Sequence, residues 1–189
     1  MLKRLSLTVL LASAATAHAN DFAPAMESYL EDNIRGWAMS APLVSAINEQ
    51  NAMTSGYDQA MIDRLDQQWR SEVGGTDTPT ITPVLSGSAA EFLRQQVEAA
   101  EGRITEVFIM DARGLNVASS AVTSDYWQGD EAKFSETYGQ GSNAIHFSDI
   151  EWDDSTETFQ GQISLTIVDP ATGQPIGAMT VGVDAEALM

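Results

Sequence analysis

Ile104-Thr105-Glu106-Val107-Phe108-Ile109-Met110, followed by Asp111-Ala112-Arg113-Gly114 and then by Leu115-Asn116-Val117-Ala118-Ser119, decides the fold. Before Ile104 the apolar residues recur at helical spacing; from Ile104 onward the period is that of strands. A mostly apolar run of this length is expected of a central strand, and Asp-Ala-Arg-Gly carries turn chemistry, so the stretch predicts a β-hairpin.

C-terminal to the hairpin, residues 123–141 are polar, aromatic and punctuated by glycine, which predicts a loop with a short helix that interrupts the sheet. Residues 144–152, 157–168 and 176–183 then read as three antiparallel strands, joined by Asp153-Asp154-Ser155-Thr156 and by the turn 169–175. In the middle strand Phe159, Ile163, Leu165 and Ile167 face one way, while Thr158, Gln160, Gln162, Ser164 and Thr166 face the other.

N-terminal to the hairpin the chain reads as helix. Met26, Leu30, Ile34, Trp37, Ala41, Val44 and Ile47 form one stripe at spacings of three and four, and Pro42 predicts a kink or break near Ser40-Ala41. A second helix is expected from Asp58 to Glu72, with Ile62, Leu65 and Trp69 on one side. Residues 73–87 hold no periodicity at their start and read as a linker. Ser88-Ala89-Ala90-Glu91 then has the form of a capping box that opens a helix closed by Gly102. A stripe as long as Met26–Ile47 needs a cover, either the sheet or a second copy, so a homodimer through the N-terminal helix is an expectation.

Met1-Leu2-Lys3-Arg4, the apolar stretch Leu5–Ala15 and Ala17-His18-Ala19 read as an export signal with an A-x-A cleavage site, which predicts a mature start at Asn20. The expected organisation is a signal peptide (1–19), an N-terminal helical segment (20–72), a linker (73–87) and a domain built on the sheet (88–189). The product is expected to be soluble and periplasmic or secreted.

Of 189 residues, 27 are Asp or Glu and nine are Lys or Arg, for a net charge of −18; losing Lys3 and Arg4 with the signal leaves seven bases and a net of −20. Nucleic acid is excluded as a partner by that balance, because counterion release from phosphates needs a basic face. With no cysteine there is no disulfide, thiolate nucleophile or Cys-ligated metal. His146 is the only histidine after the leader, so histidine-based metal sites lack ligands, and no G-x-S-x-G or S-x-x-K motif occurs. No enzyme is expected, and no cofactor or metal.

Two motifs are set aside on context. The acidic cluster Asp149-Ile150-Glu151-Trp152-Asp153-Asp154 with Glu157 lacks the Gly and Glu that an EF-hand places at Asp154 and Gln160, so a solvated hairpin with outward acids is expected. Gly139-Gln140-Gly141-Ser142-Asn143-Ala144 fits a dinucleotide fingerprint in letters but leads into a strand rather than a helix.

The run from Ile104 to Asp111, then Gly114–Ser120, then Thr123-Ser124-Asp125-Tyr126-Trp127-Gln128-Gly129-Asp130-Glu131-Ala132-Lys133-Phe134, resembles the extracytoplasmic PAS-like sensor domains known as Cache or PDC domains. Gly161-Gln162-Ile163-Ser164 and the run Ile176–Asp184 are similar to the last two strands of that family, and Trp37-Ala38 with Ile47-Asn48-Glu49-Gln50-Asn51 to its long N-terminal helix. The resemblance implies an α+β fold: a long N-terminal helix plus a five-stranded antiparallel sheet flanked by helices, with a small-molecule pocket between sheet and insert. It also implies binding of an extracellular solute and a report of occupancy to a membrane receptor or histidine kinase. The chain ends at Leu188-Met189, where a second membrane anchor of that family would begin, so a solitary exported form is the expectation.

Within the insert, Asp125, Tyr126, Trp127, Asp130 and Lys133 are the candidate ligand-binding residues. Carboxylates beside aromatic faces suit an amine, and Lys133 suits the carboxylate of a zwitterion; the strongly negative field moves amines, zwitterions and neutral solutes ahead of plain anions. The other readings are a structural or interaction module without ligand, a Ca²⁺-binding protein, or a carboxylate-based hydrolase.

Overall fold

A computed structural model describes residues 20–153 and 156–189; the expected leader, and Asp154 and Ser155 of the acidic turn, lie outside them. Helix α1 (Ala23–Tyr29) passes through a π-helical turn (Leu30–Ile34) into α2 (Arg35–Ala38). The break falls at Met39 and Ser40, with Ser40 extended at ψ 149°, and α3 (Ala41–Thr54) restarts with Pro42 in its first turn. There the missing N–H of proline has no intrahelical acceptor to lose, so Pro42 starts a helix rather than bending one.

Of the predicted stripe, Met26, Leu30, Ile34 and Ile47 are fully buried, in one cluster with Val107, Ile109, Ile163, Leu165, Ile167, Met179, Val181 and Val183 of the sheet, while Trp37 and Val44 are half-buried and Ala41 is exposed. After the break Leu43, outside the stripe, is the residue of α3 that joins Ile47 in the core. Each such side chain contributes about 1.5–3 kcal/mol by leaving water. Because the chain's own sheet covers this face, the stripe no longer calls for a second copy.

Asp58 caps α4 (Gln59–Glu72) by accepting from Met61 N at 2.9 Å. The segment 73–87, expected as a linker, contains α5 (Ile81–Leu85), whose first N–H groups are held by the neighbouring helix: Glu72 Oε2 accepts from Thr80 N at 2.8 Å and Ile81 N at 3.0 Å. Ile81 and Val84 pack on Trp69, which fixes the segment in place. The capping box does not form. Gly87, at φ 96°, takes the N-cap position of α6 (Ser88–Ala99), so Ser88 is already helical and Glu91 pairs with Arg94 instead.

The sheet comprises β1 (Ile104–Met110), β2 (Asn116–Ser119), β3 (Ile145–Phe147), β4 (Glu151–Asp153), β5 (Thr158–Val168) and β6 (Pro175–Asp184). All pairings are antiparallel, in the order β2-β1-β6-β5, with β3 and β4 both on the outer edge of β5. The five expected strand positions are present, but the strand expected over 144–152 is broken in two. At the break Ser148 uses its side chain on β5: Gln162 N donates to Ser148 Oγ at 2.8 Å, while the Ser148 carbonyl turns away to accept from Asn20 Nδ2.

The two faces of the sheet differ. Ile163, Leu165 and Ile167 face the helices as expected, whereas Phe159 lies beyond that cover, 58% exposed, against Trp152. The opposite face is polar, yet Gln160, Ser164, Thr166 and Thr180 on it are buried. The insert, with its short helix α7 (Ala132–Ser135), covers them by packing Phe134 and Tyr138 on Phe108, Met110 and Ala178.

Candidate functional site: a polar cavity between sheet and insert

The insert is tied down at its start by the N-terminal helices. Asp66 Oδ1 on α4 accepts from Tyr126 N and Trp127 N, each at 3.0 Å, and Arg70 joins Asp66 to Asp125 with 2.8 Å contacts to both. Tyr126 stacks on Trp69 at 5.3 Å, and burial pushes its phenol far up in pKa. Trp127 Nε1 donates to Arg113 O at 2.8 Å, across the hairpin turn. These ties hold the rest of the insert, from Gln128 onward, above the polar face of the sheet.

Between the two lies a cavity of about 370 Å³, with a deeper recess of about 50 Å³ sharing Lys133, Asp153 and Gln162 with it. The roof is Gln128, Glu131 and Lys133; the floor is Glu106, Phe108, Gln160 and Gln162; His146, Ser148 and Asp153 line the side. Lys133 Nζ sits 2.9 Å from Glu131, 3.3 Å from Gln128 Oε1 and 5.6 Å from the centre of the Phe108 ring.

The floor exists because of one glycine. Glu106 on β1, Gly182 on β6 and Gln162 on β5 occupy one cross-strand row. With no side chain on the middle strand, Glu106 meets the amides of β5 directly: Oε1 accepts from Gln160 Nε2 at 3.2 Å and Gln162 Nε2 at 3.5 Å. A Cβ at Gly182 would collide with Thr105 Oγ1, Gln160 Oε1 and Glu106 Cγ. Glu106 is 6% exposed, and its carboxyl is raised above the ordinary carboxylate range by desolvation and then by the charge of Asp153, with the two glutamines and Lys133 pulling the other way.

The five residues expected to bind ligand do not converge on one cavity. Lys133 lines the polar cavity; Tyr126 lines a different groove; Asp125 and Trp127 serve as tethers, and Asp130 is exposed. The acidic hairpin is also not wholly outward, since Asp153 turns into the cavity while Asp149 and Glu151 are exposed. Sequence reasoning missed Glu106, Gln160 and Gln162. A single acid inside the apolar run of a central strand, level with a polar row on β5, was the available signal.

The groove that Tyr126 lines is larger, about 590 Å³, between α3, α4, α5 and β2. Its lining is mostly apolar or small, with Met53, Leu65, Val84 and Val117, and among the described residues Glu49 is the only charged one in it. The smaller cavity carries the denser chemistry, with buried groups that have bonding capacity left.

No family model matches the chain, and no curated protein does. Among solved structures it is similar to the sensor domain of the V. cholerae histidine kinase DctB, at 15% identity over 88% of this chain and 55% of that one, with a TM-score of 0.46. It is similar also to the sensory domain of the Campylobacter jejuni chemoreceptor Tlp3 with isoleucine bound, at 11% identity over 88% of this chain and 65% of that one, with a TM-score of 0.42. The chain thus spans between half and two thirds of these domains. The first is the sensor domain of a histidine kinase and the second the sensory domain of a chemoreceptor.

Proposed function

We propose that the chain is an exported, non-enzymatic module that binds a small polar solute between its sheet and its insert and reports occupancy to a membrane receptor or kinase. One observation carries the reading: a cavity in the size range of small-molecule sites, floored by Glu106, Gln160 and Gln162, which are held on strands and roofed by a tethered insert. Sites of this kind need few polar groups, fixed in place before the ligand arrives.

Export rests on the N-terminal pattern of residues 1–19, and among the described residues no helix is long and apolar enough to cross a membrane. Cell fractionation followed by N-terminal sequencing is expected to return a chain that begins at Asn20 outside the inner membrane.

The binding reading is tested by a thermal-shift screen of amines, amino acids, carboxylates and nucleobases. A ligand at 100 times its dissociation constant adds about 2.7 kcal/mol to stability. Hits are expected to weaken in Gln162→Leu, which removes an amide from the floor. If no compound moves the midpoint, the module is a structural or interaction element and the binding reading fails.

A further inference from the structure

We propose that the deep end of this cavity recognises the ammonium group of a small organic amine that carries no carboxylate, with Glu106 Oε2 as the accepting atom. The inference rests on the binding reading above and narrows it to one chemical class.

The argument starts from what each charged group already does. Among the described residues, both hydrogen bonds to Glu106 fall on Oε1, which leaves Oε2 of a side chain only 6% exposed for whatever enters the recess. A buried carboxylate without an ion pair is costly, and a ligand that brings a positive charge to it recovers that cost. Asp153, on the same recess, accepts on Oδ1 from Thr156 N at 2.9 Å and Thr156 Oγ1 at 3.1 Å, and its charge adds a second negative one beside the first. The ring of Phe108 lies in the recess wall with Lys133 Nζ over it at 5.6 Å, so the recess already accommodates an alkylammonium beside an aromatic ring.

The remaining cation is already engaged. Among the described residues Lys133 is the only Lys or Arg in the lining, and it is bound to Glu131, to Gln128 Oε1 and over Phe108. A ligand carboxylate would therefore meet Glu106, Glu131, Glu151 and Asp153 with no free cation to balance it. That geometry selects against amino acids and against plain acids. It also differs from a metal site: among the described residues no three His, Cys, Asp or Glu side chains converge on one point, so the charge it suits is a single ammonium shared between carboxylates and an aromatic face.

Matched probes separate the classes. Leucine, phenylalanine and lysine are each compared with the amine left by removing the carboxylate (isoamylamine, phenethylamine, cadaverine) and with the acid left by removing the α-amino group, by calorimetry on the mature chain at pH 7.5 and low salt. At least one amine is expected to bind ten-fold or more tighter than its parent amino acid, with the acid weakest. Glu106→Gln is expected to weaken that amine at least ten-fold, and Asp153→Asn several-fold, while Lys133→Met strengthens it. Asp153→Asn serves as the second variant should Glu106→Gln fail to fold by circular dichroism. If an amino acid, an acid or a neutral solute binds better than every amine and loses affinity in Gln162→Leu, the cavity is the site and the amine assignment is overturned. The assignment is equally overturned if Glu106→Gln binds the amine as the parent does. Silence across all probe classes overturns the binding reading itself.

Discussion

Two buried carboxylates stand five residues apart on and just beyond β1, and the chain treats them in opposite ways. Asp111, at the hairpin turn, is fully enclosed and accepts on both oxygens: Oδ1 from Arg113 N at 2.8 Å and Leu115 N at 3.0 Å, Oδ2 from Thr54 Oγ1 at 2.7 Å and Gln50 Nε2 at 3.1 Å. Glu106, in the middle of the strand, is partnered on one oxygen alone. The backbone around Asp111 is equally tied, with Asn51 Oδ1 accepting from Ala112 N and Ser55 O accepting from Arg113 Nη2, both at 2.8 Å, and Gly114 at φ 79° closing the turn. A carboxylate with four donors joins α3 to the sheet. One with two long bonds on a single oxygen leaves the other to the cavity it lines.

The largest effect expected from this contrast is at the turn. Asp111→Ala takes the acceptor from the Arg113 and Leu115 N–H groups and leaves Thr54 Oγ1 with the Gln50 carbonyl and Gln50 Nε2 with the Leu115 and Asn116 carbonyls; it should cost about 3–5 kcal/mol, read by urea denaturation at pH 7. Next comes the tether: Tyr126→Ala removes the stack on Trp69 and should cost about 2–4 kcal/mol while also loosening the insert, seen as faster amide exchange across residues 128–138. Thr54→Val removes one charge-assisted bond to Asp111 and should cost about 1.5–3 kcal/mol.

The smallest change, and the one of opposite sign, is at the cavity. Glu106→Gln removes a desolvated charge while keeping the amide network, so at pH 7 and without ligand it should leave stability equal or raise it by about 0.5–1 kcal/mol. The pH dependence has a definite direction. Because the folded state raises the Glu106 pKa, that state holds the proton more tightly than the unfolded chain; the resulting stability is present below the ordinary value of 4.5 and is lost as pH rises through the raised value. The stability of the parent minus that of Glu106→Gln should therefore fall as pH is raised from about 4 to 7. Both positions losing the same several kcal/mol would break the contrast.

What the sequence made legible follows the range of the physics involved. The change of period at Ile104, the turn at Asp111, the helix from Asp58 to Glu72 and the break before Pro42 are local, and each depends on a few neighbouring residues. Asp125, Tyr126 and Trp127 were expected to bind ligand, but their chemistry is spent on Asp66, Arg70, Trp69 and Arg113, partners that no spacing rule brings together. Alternation separates the two faces of β5 but does not by itself tell water from a covering loop. Glu106 stayed hidden for the same reason, since its place in the cavity depends on Gly182 in a strand 76 residues later and on the insert between them. The broken strand at Ser148 depends on a bond from Asn20, at the other end of the described chain.

The central claim is that a ligand enters beneath the insert and meets Glu106. It is tested most directly by titrating ¹⁵N-labelled mature chain with isoamylamine, phenethylamine and cadaverine in turn and following the amide and glutamine side-chain resonances. Saturable shifts concentrated on Glu106, Phe108, Gln128, Lys133, Gln160 and Gln162, with Gln50, Gln68 and Val84 unmoved, are the predicted result. Shifts gathered instead around Gln50, Gln68 and Val84 of the larger groove, or no saturable shift with any of the three, would contradict it.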